Sequence, residues 1–245
     1  MTKSVKRAKS KRPFVGILVV VAIVGIGALG YAMSRPRPGA RPVDPNLVPG
    51  TAEGYLVGNA DAPVQVMEFA DFECPGCGQW ATVTEPDVRE RLINTGQISF
   101  RFFDFPLDMH PNAWPAHSAA ACAADQGKFL EMHDAVFATQ DKWNSYTTKN
   151  PAKPLRALAA GLGIDMNAWD ACFDSQKHYP RIKANAMEGV RRGVNSTPTF
   201  VIGSKMYGEY LTFDQFKLIV DSALVEAAAA AKAAGKVPAK AATKP

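Results

Sequence analysis

The chain has 245 residues, 47% hydrophobic and 21% charged, with 28 Lys and Arg against 23 Asp and Glu for a formal charge of +5. That is ordinary globular composition and excludes a disordered, collagen-like or cysteine-dense scaffold. Residues 1–50 hold nine of the basic residues and a single acid, Asp44, which leaves 19 basic against 22 acidic residues in a slightly acidic body. With the basic excess in a tail, and neither a basic stripe nor stacking aromatics in the body, nucleic-acid binding is excluded.

Residues 1–13 form a basic tail. From Phe14 to Met33 follow 20 residues with no charged or amide side chain, enough as a helix to cross a hydrocarbon core of roughly 30 Å. Six basic residues precede this run, so the positive-inside tendency keeps the N-terminus cytoplasmic and exports everything after it. A cleaved signal peptide is the competing reading, with Ala28-Leu29-Gly30 as a small-x-small cleavage site. The apolar stretch exceeds the roughly 7–15 residues of a signal core, which favours an uncleaved transmembrane anchor over 14–33. Both readings export the body. Residues 34–50 contain five prolines and two glycines and read as a semi-extended linker. At the other end, residues 227–245 are an Ala/Lys-rich tail whose first part prolongs a helix. The folded body is therefore residues 51–226.

Within it, Val64-Gln-Val-Met-Glu-Phe69 alternates and is rich in β-branched residues, the pattern of a strand. Cys74-Pro-Gly-Cys77 comes next, and Gln79 to Asn94 has a helical pattern (Trp80, Val83, Val88, Leu92, Ile93) interrupted near Glu85-Pro86. The cysteines thus sit where a strand turns into a helix. A thiol at a helix N-terminus faces unpaired N–H groups and the positive end of the dipole, which favour thiolate, the attacking species. Pro75 suits the first turn because it needs no N–H partner there. Cys74 is the candidate nucleophile; Cys77, one turn in, is placed to resolve a mixed disulfide. A structural bridge or half of a zinc site are the alternatives. Between Cys77 and Cys122 lie 44 residues and between Cys122 and Cys172 lie 49, with no second knuckle, against the usual zinc spacing.

Five segments in order make the body resemble the DsbA-like branch of the thioredoxin superfamily, exported thiol-disulfide oxidoreductases. They are Val66-Met-Glu-Phe-Ala-Asp-Phe-Glu-Cys-Pro-Gly-Cys77, Phe100-Arg-Phe-Phe-Asp-Phe-Pro106, His110-Pro-Asn-Ala-Trp114, Gly127-Lys-Phe-Leu-Glu-Met-His-Asp134 and Gly193-Val-Asn-Ser-Thr-Pro-Thr-Phe-Val-Ile-Gly203. The resemblance covers most of residues 54–222. It implies an α/β thioredoxin fold with a mostly helical insertion at about 107–190, here preceded by one N-terminal transmembrane helix.

The resemblance also implies roles. Thr197-Pro198 matches the cis-proline element beside the cysteines, where the Thr197 backbone would bind a substrate chain without regard to its side chains. Glu68 would be a buried acid that exchanges a proton with Cys77; an outward-facing strand glutamate is the alternative. Cys122 and Cys172 resemble a second cysteine pair found in some relatives, a structural disulfide across the helical segment, against two free buried thiols. One departure stands out: strong oxidases of the family carry a histidine between the cysteines where this chain has Gly76, and residues 68–88 hold no cation. Thiolate stabilisation is then expected mainly from backbone N–H groups. His110, His117, His133 and His178 show no ligand spacing and read as capping or core residues. No metal or soluble cofactor is implied, and Asn195-Ser196-Thr197 is read as a chance glycosylation match.

The expected function is disulfide introduction into reduced, unfolded exported polypeptides, with reoxidation by an integral-membrane, quinone-linked partner. The expected location is the bacterial cell envelope, anchored in the cytoplasmic membrane with the catalytic domain outside. A reductase or isomerase on the same fold, and a non-enzymatic assembly module with structural disulfides, are the rival readings.

Overall fold

A computed structural model describes residues 24–27 and 52–234. The chain divides into two units, residues 1–42 and 43–245. Of the first, the described part is one exposed helical turn, residues 24–27. The basic tail, the rest of the anchor segment 14–33, the linker 34–50 and the end of the C-terminal tail lie outside the described residues. Among those described, no helix is long and apolar enough to cross a membrane.

The second unit is built on one sheet. Strands β1 (Tyr55–Val57), β2 (Val64–Ala70), β3 (Ile98–Asp104), β4 (Thr199–Ile202) and β5 (Lys205–Tyr207) lie in the order β1-β3-β2-β4-β5. β2 and β3 are parallel, paired from Val64–Ile98 to Ala70–Asp104, while β4 runs antiparallel to β2 with Phe200 opposite Glu68. Both faces of the parallel pair carry buried apolar side chains because helices cover both. Val64 and Val66 pack with Trp80, Phe200 and Phe216 on one face. Phe69 packs with Phe103 and Phe105 on the other. Glu68, in register with Val66, points toward the face that carries the cysteine helix.

That helix is one run from Pro75 to Ile93: α1 (Pro75–Gln79), a π-helical stretch (Trp80–Thr84), α2 (Glu85–Val88) and a second π-helical stretch (Arg89–Ile93). The interruption expected near Glu85-Pro86 takes this form, since the wider turn comes just before a proline that has no N–H to give. Between β3 and β4 come six helices: α3 (Ala113–Ala124), α4 (Phe129–Ala138), α5 (Gln140–Trp143), α6 (Ala152–Gly161), α7 (Met166–Asp174) and α8 (Tyr179–Arg192). They are the expected insertion. Alanines 116, 119, 120, 121 and 123 of α3 are fully buried, so their small side chains let neighbouring helices approach closely. Trp143, Trp169, Met132 and Leu155 fill the core around α3.

Cys122 on α3 and Cys172 on α7 are joined by a disulfide with a Cα–Cα distance of 5.8 Å. The last helix, α9 (Phe213–Ala233), starts with a capping box between Thr212 and Gln215 and runs past residue 226 into the alanine-rich tail.

Candidate active site

β2 ends at Ala70, and Asp71-Phe72-Glu73 turns the chain into α1. Asp71 and Glu73 are buried, and their oxygens are taken up by backbone N–H groups. Asp71 accepts from Glu73 N at 2.7 Å and Leu107 N at 2.8 Å, and its Oδ2 lies 2.7 Å from His110 Nδ1. Glu73 accepts from Asn112 N at 2.6 Å and Ser145 N at 2.5 Å. From α5, Gln140 Nε2 donates to the carbonyls of Phe72 at 2.6 Å and Cys74 at 2.9 Å. The insertion therefore grips the loop that presents the nucleophile. Sequence reasoning missed Asp71, Glu73, Asn112 and Gln140. The signal available was two acids beside the first cysteine with no cation nearby, which in a buried loop require N–H partners from elsewhere.

Cys74 caps α1 with an extended backbone, and Pro75 takes the first helical position. Its side chain is 8% exposed, whereas Cys77 is fully buried. Both are free thiols. The Cys74 thiol is pushed down from an ordinary 9.0 to about 6, first by a hydrogen bond from the Cys77 thiol, against the cost of burial, with help from the Thr197 hydroxyl and the N–H groups of Cys77 and Gly76. This corrects the expectation that backbone N–H groups dominate: the leading donor is the second thiol, one turn along the helix. Cys77 is pushed well up by burial and by the negative charge at Cys74. One site thus holds a thiol that ionises easily beside one that resists ionising.

The Thr197–Pro198 bond is cis, and the Cys74 thiol donates to the Thr197 carbonyl at 3.4 Å. Thr197 Oγ1 is buried without a hydrogen-bond partner of good geometry, so it is free to turn toward the sulfur when that becomes thiolate. A Cβ at Gly76 would sit 3.5 Å from Pro198 and 3.8 Å from Cys74 Sγ, so the residue between the cysteines faces the proline loop. His110, outside the 68–88 window, is raised by its bond to Asp71 and further by the Cys74 charge. The imidazole comes to the site from the loop after β3.

Glu68 is 1% exposed, and its Oε2 has no partner. Burial, then the charge of Glu85, raise it well above the carboxylate range, and Arg89 opposes them. It is an inward acid. The structure thus brings Cys74, Cys77, Glu68, Thr197 and Pro198 into one site and places Cys122 and Cys172 apart from it, in the helical insertion. Among the described residues, Cys122, Cys172 and His178 hold ligand atoms within 4.8 Å of one another, but the two sulfurs are bonded to each other. His117 and His178 are held by Asp104 and Asp125.

A dithiol at the start of the helix after the central strand, facing a cis-proline loop on the neighbouring strand, defines a thioredoxin-fold redox site. The chain matches the thioredoxin family over residues 51–222 and belongs to it. Its fold is similar to that of α-DsbA1 from Wolbachia pipientis, with a TM-score of 0.65 and 23% identity over 75% of this chain and 97% of that one. It is similar also to oxidised BdbD from Bacillus subtilis, with a TM-score of 0.63 and 21% identity over 73% and 98%. In sequence it is 37% identical over 171 residues to the Na(+)/H(+) antiporter NhaA 3 of Salinispora tropica, which is 69% of this chain and 24% of that protein. The chain spans about a quarter of the length of the curated relatives it matches.

Proposed function

We propose that the protein is an exported thiol-disulfide oxidoreductase that introduces disulfides into reduced, unfolded polypeptides. In the oxidised form a substrate thiolate attacks the Cys74 sulfur and the Cys74–Cys77 bond breaks. Cys77 leaves as thiolate and takes a proton from Glu68. A second substrate thiolate then attacks the substrate sulfur of the mixed disulfide, and Cys74 leaves as thiolate. The substrate loses two electrons and the enzyme gains them. Thr197 and Pro198 would hold the substrate backbone beside Cys74, and Met109 and Tyr146, both highly exposed on the two loops tied to Asp71 and Glu73, would meet apolar client side chains.

The observation that carries this reading is the Cys74 sulfur at the start of α1, against the carbonyl before the cis Pro198 and one turn from the buried Cys77 thiol, a setting that pushes its pKa down to about 6. Near neutral pH the reduced enzyme keeps a stabilised thiolate, and stabilising the reduced form makes the disulfide a better oxidant. The similarity in fold to DsbA and BdbD supports it. Reoxidation by a quinone-linked membrane protein, with a transmembrane helix over 14–33 raising the local concentration, belongs to the same proposal. So do the bacterial envelope location and a structural role for Cys122–Cys172. Antiport is the printed activity of the longer relatives and is not carried to this chain.

Gly76 between the cysteines favours a second reading, a reductase or isomerase, because no cation there stabilises the thiolate. Equilibration with glutathione redox buffers and mass spectrometry decides between them: oxidase function requires a potential above roughly −200 mV. A value near −270 mV selects the reductase, and one below about −300 mV makes the bond structural and sinks the proposal.

A further inference from the structure

The second cysteine pair has surroundings that a cross-link alone does not need. Cys122 lies in the last turn of α3 and Cys172 in the last turn of α7. Both cysteines are buried, yet both line an open cavity of about 400 Å³ together with Asp125, Ser175 and Lys177, so small reagents and ions reach them from solvent. His178, between α7 and α8, adds a third element: one of its ring nitrogens and the two sulfurs all lie within 4.8 Å of one another. The ring is held by Asp125, whose Oδ2 is 2.9 Å from Nε2. A carboxylate that fixes an imidazole beside two sulfurs is the arrangement in which histidine serves as a metal ligand.

These atoms are positioned without help from the sulfur–sulfur bond. Trp169 Nε1 on α7 donates to the Ala119 carbonyl on α3 at 3.2 Å. Gln126, just after α3, exchanges two hydrogen bonds with Asp165, the cap of α7: Gln126 Nε2 donates to the Asp165 carbonyl at 3.1 Å, and Asp165 N donates to Gln126 Oε1 at 2.8 Å. Lys177 and His178, after α7, both reach Asp125 at 2.9 Å. α3 is thus tied to the start of α7, to its middle and to the segment that follows it. Cutting the disulfide leaves all of these contacts in place, so two thiols and an imidazole stay together.

We propose that Cys122, Cys172 and His178 form a redox-switched site for a thiophilic divalent cation, Zn²⁺ by its chemistry. In the oxidised chain the two sulfurs are a cross-link. A dithiol reductant gives the bond two electrons and two protons and is itself oxidised to a disulfide. Zn²⁺ then displaces the two thiol protons and binds both thiolates and the imidazole, while the fourth position opens on the cavity and takes water. The two thiolate charges cancel that of the ion, so the group is neutral as a whole, which a largely buried position tolerates. Ca²⁺ and Mg²⁺ are excluded because they require oxygen ligands. Asp125 orients His178; Lys177 shares the same carboxylate oxygen, and its exposed side chain is free to turn into solvent. The ion takes over from the disulfide as the tie between α3 and α7 while the sulfurs are reduced, as they are in a newly made chain.

The test uses the full chain in detergent with Cys74→Ser and Cys77→Ser, which leaves Cys122 and Cys172 as its only cysteines. The pair is reduced with a water-soluble phosphine and Zn²⁺ is titrated against a chromogenic chelator. The reduced chain is expected to bind one equivalent at least about 100-fold more tightly than the oxidised chain. On that background His178→Ala weakens binding by about 100-fold and Asp125→Asn by about ten-fold, whereas Lys177→Ala leaves it unchanged. Bound Zn²⁺ also shields both thiols from iodoacetamide. A folded reduced chain that takes up no Zn²⁺, or uptake that His178→Ala leaves unaltered, overturns the site. Should reduction unfold the chain, one equivalent of Zn²⁺ restores its circular dichroism if the site exists, and failure to restore it overturns the site equally. The variants lack the Cys74–Cys77 pair, so the result is independent of the function proposed above.

Discussion

The molecule holds two cysteine pairs, and their surroundings give them opposite characters. Cys122 and Cys172 come from two helices of the insertion and share one bond, with neither sulfur set at a helix start facing a proline loop. Cys74 and Cys77 share one helix turn, so that one thiol donates to the other and the pair divides into an easily ionised member and a resistant one. Reactivity in this protein is a property of asymmetry within a pair. A cross-link needs only proximity; exchange needs a sulfur that can leave as thiolate beside one that can wait as thiol.

The sharpest way to break the contrast is to remove one sulfur from each pair. Cys74→Ser is expected to abolish oxidation of a reduced model peptide, a loss of at least about 10³-fold, because Cys77 is fully buried and has no partner left with which to form the disulfide that is exchanged. Cys77→Ser should instead let mixed disulfides accumulate on Cys74, visible as covalent adducts by mass spectrometry. Cys122→Ala with Cys172→Ala should leave exchange within about two-fold and lower unfolding stability by about 2–4 kcal/mol in urea titration. A large loss of exchange in that double variant would make the second pair part of the redox chemistry.

What sequence could reveal follows the same division. The strand before Cys74, the helix after it and the nucleophile's place at its start were readable because hydrophobic period, Pro75 and the Cys-x-x-Cys spacing are local. The inward face of Glu68 followed only from resemblance, since strand alternation cannot tell which face is covered when both are apolar. The Glu73 clamp and the Gln140 brace were not readable at all. Their partners lie 39 to 72 residues away, and nothing in a lone Glu or Gln says which backbone it will meet. His133 reads from sequence as a capping or core residue, and its burial fits a core role; Asp134 is its neighbour in sequence, but Glu85 comes from α2 and needed the fold.

The asymmetry within the active pair makes a pH prediction of smaller size. With the Cys74 midpoint at about 6, the rate of alkylation by iodoacetamide rises as pH rises through that value and is flat by about 7.5, whereas a thiol at 9.0 keeps rising over the whole range. Thr197→Val removes a hydroxyl that supports the thiolate and should move the midpoint up by roughly one unit. A midpoint that stays in place would assign the stabilisation to Cys77 and the helix alone. A wild-type midpoint near 9 would erase the difference between the two pairs.

The smallest effect comes from the brace that couples the insertion to the active pair. A Cβ at Gly78 would lie 2.6 Å from Gln140 Oε1 and 2.9 Å from its Nε2, the atom that donates to the carbonyls of Phe72 and Cys74. Gly78→Ala must therefore push the amide away. The Cys74 carbonyl keeps its helical bond from Gly78 N, but the brace to Phe72 goes, at a cost of about 1–2 kcal/mol. Exchange should slow by only about two- to five-fold, because the helix start and the proline loop are untouched. Gln140→Ala loses the same bonds without the clash, and it opens the space that a methyl group on residue 78 needs. Combining the two should then cost less than the sum of the single changes by about 1 kcal/mol in chemical denaturation. Strict additivity would mean that the added methyl is accommodated by a shift of α1 itself, in which case the Cys74 alkylation midpoint should move in Gly78→Ala and stay fixed in Gln140→Ala.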